Sequence, residues 1–174
     1  MKKLFHVERI NKTLIQKGFF LFLVFLFSAA CSPRYAVDVS DYILEKNGKQ
    51  ILGRDKGLTA FIFQNNPTKI TFNQFLIEKY NLGATVEQEY WTTIDGKKFK
   101  IILYENSELE KYFQTRDYVA SNVVADEAVV GSKVKFLAIS VVDAYNEDCL
   151  ADDSLFQNIV IKYLKDLKDE YNKY

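Results

Sequence analysis

Apolar residues along this chain follow two different periods, which separate strands from helices. Residues 58–63 and 134–142 are apolar at nearly every position, a pattern typical of strands covered on both faces of a sheet. In residues 71–81 and 152–171 the apolar residues instead recur every three or four positions, as on one face of a helix. The sequence therefore predicts two central strands and two helices in these segments.

The clearest local prediction is a β-hairpin. Two alternating segments, 86–94 and 97–104, flank Asp95-Gly96, a dipeptide that favours a two-residue type I′ turn and sets the register. In that register one face of the hairpin belongs to the core and the other is mixed. The core face carries Val86, Gln88, Tyr90, Thr92, Ile94, Phe99, Ile101 and Leu103, and the mixed face carries Glu87, Glu89, Trp91, Thr93, Lys98, Lys100, Ile102 and Tyr104.

Polar residues mark the expected ends of the helices. Thr71 with Gln74 matches a capping box, and Ser107 is expected to cap a short helix that runs through about Phe113. The C-terminal helix is expected to open at Asp152, Asp153 and Ser154, to bury Phe156, Ile159, Val160, Tyr163, Leu164, Leu167 and Tyr171, and to leave Lys162, Lys165, Asp166, Lys168 and Asp169 in water.

Two segments allow more than one interpretation. Asn47-Gly48 lies between strand-forming residues and favours a second hairpin over residues 41–52, but Ser40 is also a suitable cap for a short helix ending at that glycine. Residues 114–133 are too long for a structureless connection in a compact domain, so we expect a further strand within them.

From residue 58 onwards the predicted order is strand, helix, strand, strand, helix, strand, helix. This order predicts an α+β fold for residues 41–174, with a mixed or antiparallel sheet of about four to six strands and two or three helices. The first six elements match the split β-α-β arrangement of ferredoxin-like folds, with a long C-terminal helix added. A fold of this kind does not by itself indicate a function.

The first thirty residues have a different character. A cationic stretch ends at Lys17 and is followed by an apolar run over residues 18–27 and by Ser28, Ala29 and Ala30. This is the layout of a secretory signal. The run and the small residues, 13 in all, form about 20 Å of helix. The hydrocarbon core of a membrane is roughly 30 Å thick, so we expect cleavage rather than a membrane span.

Cys31 directly follows Ala30, and here the segment resembles the signal of bacterial lipoprotein precursors. The resemblance covers residues 1–31 and departs from the common pattern at Ser28, where leucine is usual. It implies that Cys31 becomes the mature N-terminus, with a diacylglyceryl group on its sulfur and a fatty acid such as palmitate on its amine. The alternative is ordinary secretion, in which Cys31 has no role.

The resemblance also implies an organisation of the chain. Residues 1–30 are the signal peptide, residues 31–40 are a lipid-anchored tether, and residues 41–174 are the single globular domain. Ser32 is compatible with sorting to an outer membrane, where the domain faces the periplasm.

Charge and composition narrow the chemistry of the rest of the chain. Five of the 23 Lys and Arg residues but one of the 23 Asp and Glu residues lie in residues 1–30, so the remainder has a net charge of −4. That charge excludes a strongly basic nucleic-acid binder. The single histidine, His6, also lies there, which excludes histidine catalysis and histidine metal sites from the remainder.

The chain holds two cysteines, Cys31 and Cys149. If the sulfur of Cys31 carries lipid, Cys149 has no partner for an intramolecular disulfide. We interpret Cys149 as a small buried apolar residue. The alternative is a reactive thiol, which the neighbouring Glu147 and Asp148 disfavour because anions oppose the thiolate.

Trp91 is the only tryptophan, and the register places it on the mixed face of the hairpin with Ile102 and Tyr104. If that face is open to solvent, these residues form a docking surface with Glu89 and Lys100 for a protein, glycan or lipid. If another element covers the face, Trp91 is an ordinary core residue.

Carboxylates provide two further candidate sites. Glu87 and Glu89 lie on one strand face about 7 Å apart, a spacing that suits acid–base hydrolysis of a glycosidic bond. The alternative is a solvated strand face on which the two carboxylates form cross-strand charge pairs. Asp143, Asp148 and Asp152 supply the oxygen ligands that calcium prefers, but their spacing lacks the glycine and final glutamate of the helix–loop–helix calcium motif.

The sequence thus predicts a lipid-anchored protein of the bacterial cell envelope that acts as a non-enzymatic binding or scaffold module without a cofactor. Its expected partners are the membrane, through Cys31, and an envelope protein or glycan, but not nucleic acid. The alternative function is an envelope hydrolase that uses paired carboxylates.

Overall fold

The computed structural model describes Lys17 and residues 36–65, 70–83, 89–119 and 136–174. The chain forms two compact units, Met1–Tyr35 and Ala36–Tyr174. Lys17 is an exposed helical residue, and the rest of the predicted signal peptide, together with Cys31, lies outside the described residues. None of the helices in the described ranges combines the length and the apolar character that crossing a membrane requires.

In the part of the second unit that is described, there are a main sheet of five antiparallel strands, a separate pair of parallel strands and three helices. The strands are β1 (Val37–Asp38), β2 (Ile43–Glu45), β3 (Ala60–Gln64), β4 (Glu89–Ile94), β5 (Lys97–Leu103), β6 (Tyr118–Val119) and β7 (Phe136–Val142). The helices are α1 (Phe72–Tyr80), α2 (Asn106–Tyr112) and α3 (Gln157–Lys173). The predicted α+β class is confirmed.

The main sheet has the order β2-β3-β7-β5-β4, and β1 pairs with β6. Every residue of β3 is buried, and in β7 only Leu137 is partly exposed, as their uniformly apolar sequences predict. Helices α1 and α3 cover one face of the sheet, and α2 covers part of the other.

The ferredoxin-like arrangement is wrong for this chain. In a split β-α-β unit the two strands joined by the helix run parallel. Here β3 and β4 flank α1 and are three strand pairs apart in the sheet, β3-β7, β7-β5 and β5-β4. Each of these pairs is antiparallel, so β3 and β4 run in opposite directions. The last strand, β7, takes the middle place in the sheet, since a strand this apolar is stable only when neighbours and covering elements surround it.

The predicted hairpin is confirmed by β4 and β5. Its turn residues Asp95 and Gly96 have φ values of 49° and 75°, the positive values that a type I′ turn requires. Ile94 pairs with Lys97 in the predicted register. Residues 84–88, which include Glu87, lie outside the described residues.

Residues 41–52 form neither the predicted hairpin nor the alternative helix. β2 pairs instead with β3, with Ile43 opposite Ile62. The pairing of apolar residues with the buried strand β3 outweighs the preference of Asn47-Gly48 for a hairpin turn. Gly48 is needed instead because its backbone packs closely against Tyr104. A Cβ atom at Gly48 would lie 2.4 Å from the hydroxyl of Tyr104, so a larger residue does not fit there.

The folded unit begins before the predicted domain start at residue 41. The Val39 side chain is fully buried, and its N–H donates to Val119 at 3.0 Å, next to the β1–β6 pair. Residues 36–40 therefore belong to the fold and not to the predicted tether. β6 supplies a strand within residues 114–133, as expected, and residues 120–135 lie outside the described residues.

The first two helices begin close to the predicted positions. Thr71 caps α1, where its hydroxyl accepts the N–H of Gln74 at 3.3 Å, although the Gln74 side chain donates along the helix and not back to the cap. The cap of α2 is Glu105 and not Ser107, because Glu105 forms the capping box with Glu108. Carboxylates at this end also interact favourably with the helix dipole.

Helix α3 begins at Gln157, after a series of turns, and buries Val160, Leu164, Leu167 and Tyr171 of the predicted stripe. Lys168, predicted to lie in water, is buried instead and donates to Asp41. The apolar stem of a lysine can pack in this way when its ammonium reaches a carboxylate. Lys165 pairs with the other oxygen of Asp41 at 3.0 Å.

Candidate functional site

Trp91 is exposed on the mixed face of the hairpin, with 53% of its surface accessible. The residues that α2 contributes on this side of the sheet, Leu109 and Phe113, pack with residues of β3 and β7. Neither residue packs on Trp91, and the exposure of Trp91 shows that the alternative of a buried core tryptophan is wrong.

Lys100 and Glu89 accompany Trp91 on this face. Lys100 stands directly opposite Trp91, and its Nζ lies 5.5 Å from the ring centroid, within the range of a cation–π contact. The same ammonium lies 3.5 Å from a carboxylate oxygen of Glu89. These three residues form one continuous patch, called the Trp91 surface below.

Ile102 and Tyr104, the other residues predicted for this surface, are both buried. Ile102 packs with Leu58 and Val142, and Tyr104 packs with Phe113 at the end of α2. The sequence pattern placed both on the correct face of the hairpin. It did not reveal that α2 and the chain before β3 cover the inner half of that face.

The hydroxyl of Tyr104 belongs to a buried network and not to a binding surface. Ser140 donates its hydroxyl proton to the carbonyl of Thr59 at 2.8 Å, so Tyr104 donates to Ser140 at 2.9 Å and accepts the N–H of Lys49 at the same distance. Burial raises the pKa of Tyr104, which therefore stays a neutral hydroxyl.

A cleft of about 590 Å³ opens between two loops at one end of the sheet. Residues 46–59, which connect β2 to β3, form one wall, and residues 143–153, which connect β7 to α3, form the other. The volume is in the range of small-molecule sites. The charged residues that line the cleft are Lys46, Arg54, Lys56, Asp55, Glu147, Asp148, Asp152 and Asp153.

Backbone hydrogen bonds shape the first wall of the cleft. The N–H of Gly48 donates to the carbonyl oxygen of Leu58 at 2.8 Å, and the N–H of Leu58 donates to the carbonyl oxygen of Lys49 at 3.0 Å. Gly57 packs so tightly against Gly48 that a Cβ atom on it would lie 2.5 Å from the Gly48 carbonyl oxygen. A glycine at position 57 is therefore required for this wall to close.

Two ion pairs cross the mouth of the cleft. Lys46 bonds Asp152 at 2.7 Å, and Arg54 bonds Glu147 at 2.5 Å. Arg54 also donates to the carbonyl of Tyr145 at 3.1 Å. The bond from Lys46 lowers the pKa of Asp152. Because these side chains are exposed, salt weakens the pairs, so they contribute little to holding the mouth of the cleft closed.

The calcium candidates do not form a metal site. Within the described ranges, no three acidic, cysteine or histidine residues are grouped to hold a metal ion. Asp143 accepts two backbone N–H groups of its own turn, and Asp148 accepts those of Thr59 and Leu150. The carboxylate oxygens that were candidate calcium ligands therefore accept backbone hydrogen bonds and hold the loop in place.

Cys149 is buried within this loop and forms no disulfide with another of the described residues. Burial, with the nearby carboxylates of Asp143 and Asp148, raises the pKa of the Cys149 thiol to about 12. This agrees with the interpretation of Cys149 as a buried apolar residue and argues against a reactive thiol.

The paired-carboxylate site is not assembled among the described residues. Glu89 lies on the open strand face, next to Lys100 and away from the cleft. Glu87 lies outside the described residues.

The sequence did not indicate the cleft, because its walls are about ninety residues apart in the chain. The signal that comes nearest is the clustering of charged residues at 46–56 and 143–153, each next to a buried strand.

Comparison with protein-family models, with curated proteins and with solved structures finds no match to this chain.

Proposed function

We propose that this protein is a lipid-anchored binding or scaffold module of the bacterial cell envelope, facing the periplasm and without enzymatic activity. The observation that carries the proposal is Cys31, placed directly after a cationic stretch, a short apolar run and two alanines. Two or three long acyl chains on one residue make membrane attachment effectively permanent, whereas one chain binds reversibly.

The folded unit suits a tethered module. It begins at Ala36, five residues after Cys31, and the part of it that is described contains no membrane-crossing helix. Ser32 favours the outer membrane as the place of attachment.

Two features of the fold support a binding role. The Trp91 surface presents an exposed tryptophan ring beside an ammonium and a carboxylate, and tryptophan is enriched among the residues that contribute most to protein contact surfaces. The charged cleft provides a second, concave site.

The anchor is tested by replacing Cys31 with alanine in the full chain. The variant should pass from the membrane fraction to the soluble fraction and should lose incorporation of labelled palmitate. The matched control is Cys149→Ala, which removes the other cysteine and should leave both properties unchanged. Membrane attachment and labelling that persist in the Cys31 variant would defeat the proposal.

A further inference from the structure

β4 is an edge strand of the main sheet. Among the described residues it pairs with β5 along its whole length and with no other strand. The N–H of Tyr104 donates to Ala138 at 3.1 Å, so the even-numbered residues of β5 direct their backbone groups toward β7. The odd-numbered residues of β5 therefore bond the even-numbered residues of β4.

The backbone groups on the outer edge of β4 belong to Glu89, Trp91 and Thr93. Because side chains alternate along a strand, the same three residues also share the exposed face of the hairpin. Their N–H and C=O groups point away from the sheet, beside a half-exposed tryptophan. This edge matches the backbone of an extended strand.

Few of the usual devices that protect an edge are found in β4, whose one charged residue, Glu89, lies at its start and is paired with Lys100 of the same hairpin. β4 has no proline or lysine, and its six residues are rich in aromatic and β-branched types. The opposite edge is different. β2 has three residues, and the flanking Asp41 and Lys46 are engaged in ion pairs.

We propose that β4 pairs with β4 of a second copy of this chain, antiparallel and centred on Trp91. In this register Trp91 lies opposite Trp91 of the second copy, and Glu89 lies opposite its Thr93. The outward N–H and C=O groups of one copy then face those of the other copy, and the two copies contribute the same residues, as a two-fold axis requires. The two sheets join into one, with their exposed faces on the same side.

The charges on the exposed face favour a second copy as the occupant. Lys98 pairs with Thr93 across the hairpin, so Glu89 of the second copy falls in the same cross-strand row. At about 4.8 Å per strand it lies about 10 Å from Lys98, with the short Thr93 between them. The two-fold axis repeats this opposite-charge approach, and no like charges stand opposite each other.

The register makes a specific cross-linking prediction for the full chain in cells. Residues in a hydrogen-bonded antiparallel pair have Cα atoms about 5.5 Å apart, a distance at which two cysteines form a disulfide when an added oxidant such as diamide takes up their electrons. Trp91→Cys should therefore cross-link to itself. Glu89→Cys and Thr93→Cys should cross-link when the two variants are produced together.

Each of those two variants alone should fail to cross-link. Two copies of position 93 are about 14 Å apart in this register, too far for a disulfide. The control for random collision is Lys98→Cys, which is exposed on β5 but away from the edge. The unsubstituted chain is the control for cross-links that form through the native Cys31 and Cys149. The mixed pair keeps Trp91, so the test does not depend on the tryptophan being dispensable.

We expect at least about tenfold more dimer from the Trp91→Cys chain and from the mixed pair than from Lys98→Cys, because disulfide geometry is strict. Equal yields from Thr93→Cys alone and from the mixed pair would overturn the register. Yields no higher than those of the Lys98 control would overturn the pairing itself.

Discussion

The carboxylate of Asp148 accepts the backbone N–H of Thr59 at 2.7 Å, which joins the loop after β7 to the start of β3. The other oxygen of the same carboxylate accepts the N–H of Leu150 at 2.9 Å. Asp148 therefore holds the two walls of the cleft together at its base. It is better shielded from water than the two ion pairs at the mouth.

Replacing Asp148 with alanine should lower the free energy of unfolding by about 1–3 kcal/mol, because the buried N–H of Thr59 loses its acceptor. Urea unfolding at neutral pH measures this change. The control is Asp153→Ala, an exposed carboxylate of the same loop, which should alter stability by no more than about 0.5 kcal/mol. Equal losses in the two variants would show that Asp148 has no special structural role.

Trp91 should be open to collisional quenchers. Iodide should quench the fluorescence of this single tryptophan efficiently in the folded protein at low protein concentration, since half of its surface is accessible. Weak quenching that rises only on unfolding would contradict the observed exposure.

The stability of the fold should depend much less on Trp91 than on Phe99, its buried counterpart on the opposite face of the hairpin. Phe99→Ala should cost about 3–5 kcal/mol of unfolding free energy, because it leaves a cavity in the core. Trp91→Ala should cost less than about 1 kcal/mol, because an exposed ring loses little on truncation. Similar losses in urea unfolding would indicate that Trp91 is part of the core.

Asp41 should contribute a pH-dependent part of the stability. Partial burial raises the pKa of its carboxyl, but hydrogen bonds from Lys168 and Lys165 outweigh burial and lower that pKa below 3.8. A group with a lowered pKa in the folded state stabilises the fold above its unfolded value and loses this effect as pH falls through the folded value.

The stability difference between the unsubstituted chain and Asp41→Asn should therefore be constant from neutral pH to about pH 5 and shrink below the ordinary aspartate pKa near pH 4. Urea unfolding at a series of pH values measures it. Asp166→Asn, on the exposed side of α3, is the control and should change the free energy of unfolding at neutral pH by no more than about 0.5 kcal/mol. A difference that stays constant down to the acid limit would contradict the role of Asp41.

The Cys149 thiol should be inert in the folded protein, because burial keeps it protonated and inaccessible. A thiol reagent such as Ellman's reagent should react slowly with the native full chain and quickly in denaturant. If Cys31 carries a thioether, the denatured protein should release one equivalent and not two. Rapid reaction of Cys149 in the native state, seen in the Cys31→Ala variant, would contradict its burial.

Local signals in the sequence were sufficient for most of the elements. Asp95 and Gly96 determine the turn by their own backbone preferences, and the apolar runs of β3 and β7 require burial on both faces wherever the strands lie. The register placed Trp91 on the mixed face of the hairpin, but the sequence left its exposure open, because the exposure depends on where α2 packs.

Features that depend on distant residues could not be predicted in this way. The turn signal at Asn47-Gly48 was overridden because Ile43 pairs with β3, which lies beyond that turn in the chain. Lys168 occupies a polar position of the helical pattern, but Asp41, 127 residues away, draws its ammonium into a buried pair. The cleft likewise depends on two loops that meet only in the folded structure.

The central claim is the lipid on Cys31, and intact-mass spectrometry of the protein purified from bacterial membranes tests it most directly. The account predicts a chain that begins at Cys31 and is heavier than residues 31–174 by a diacylglyceryl group and a further fatty acid. A soluble product that retains Met1 and carries no added mass would contradict the account.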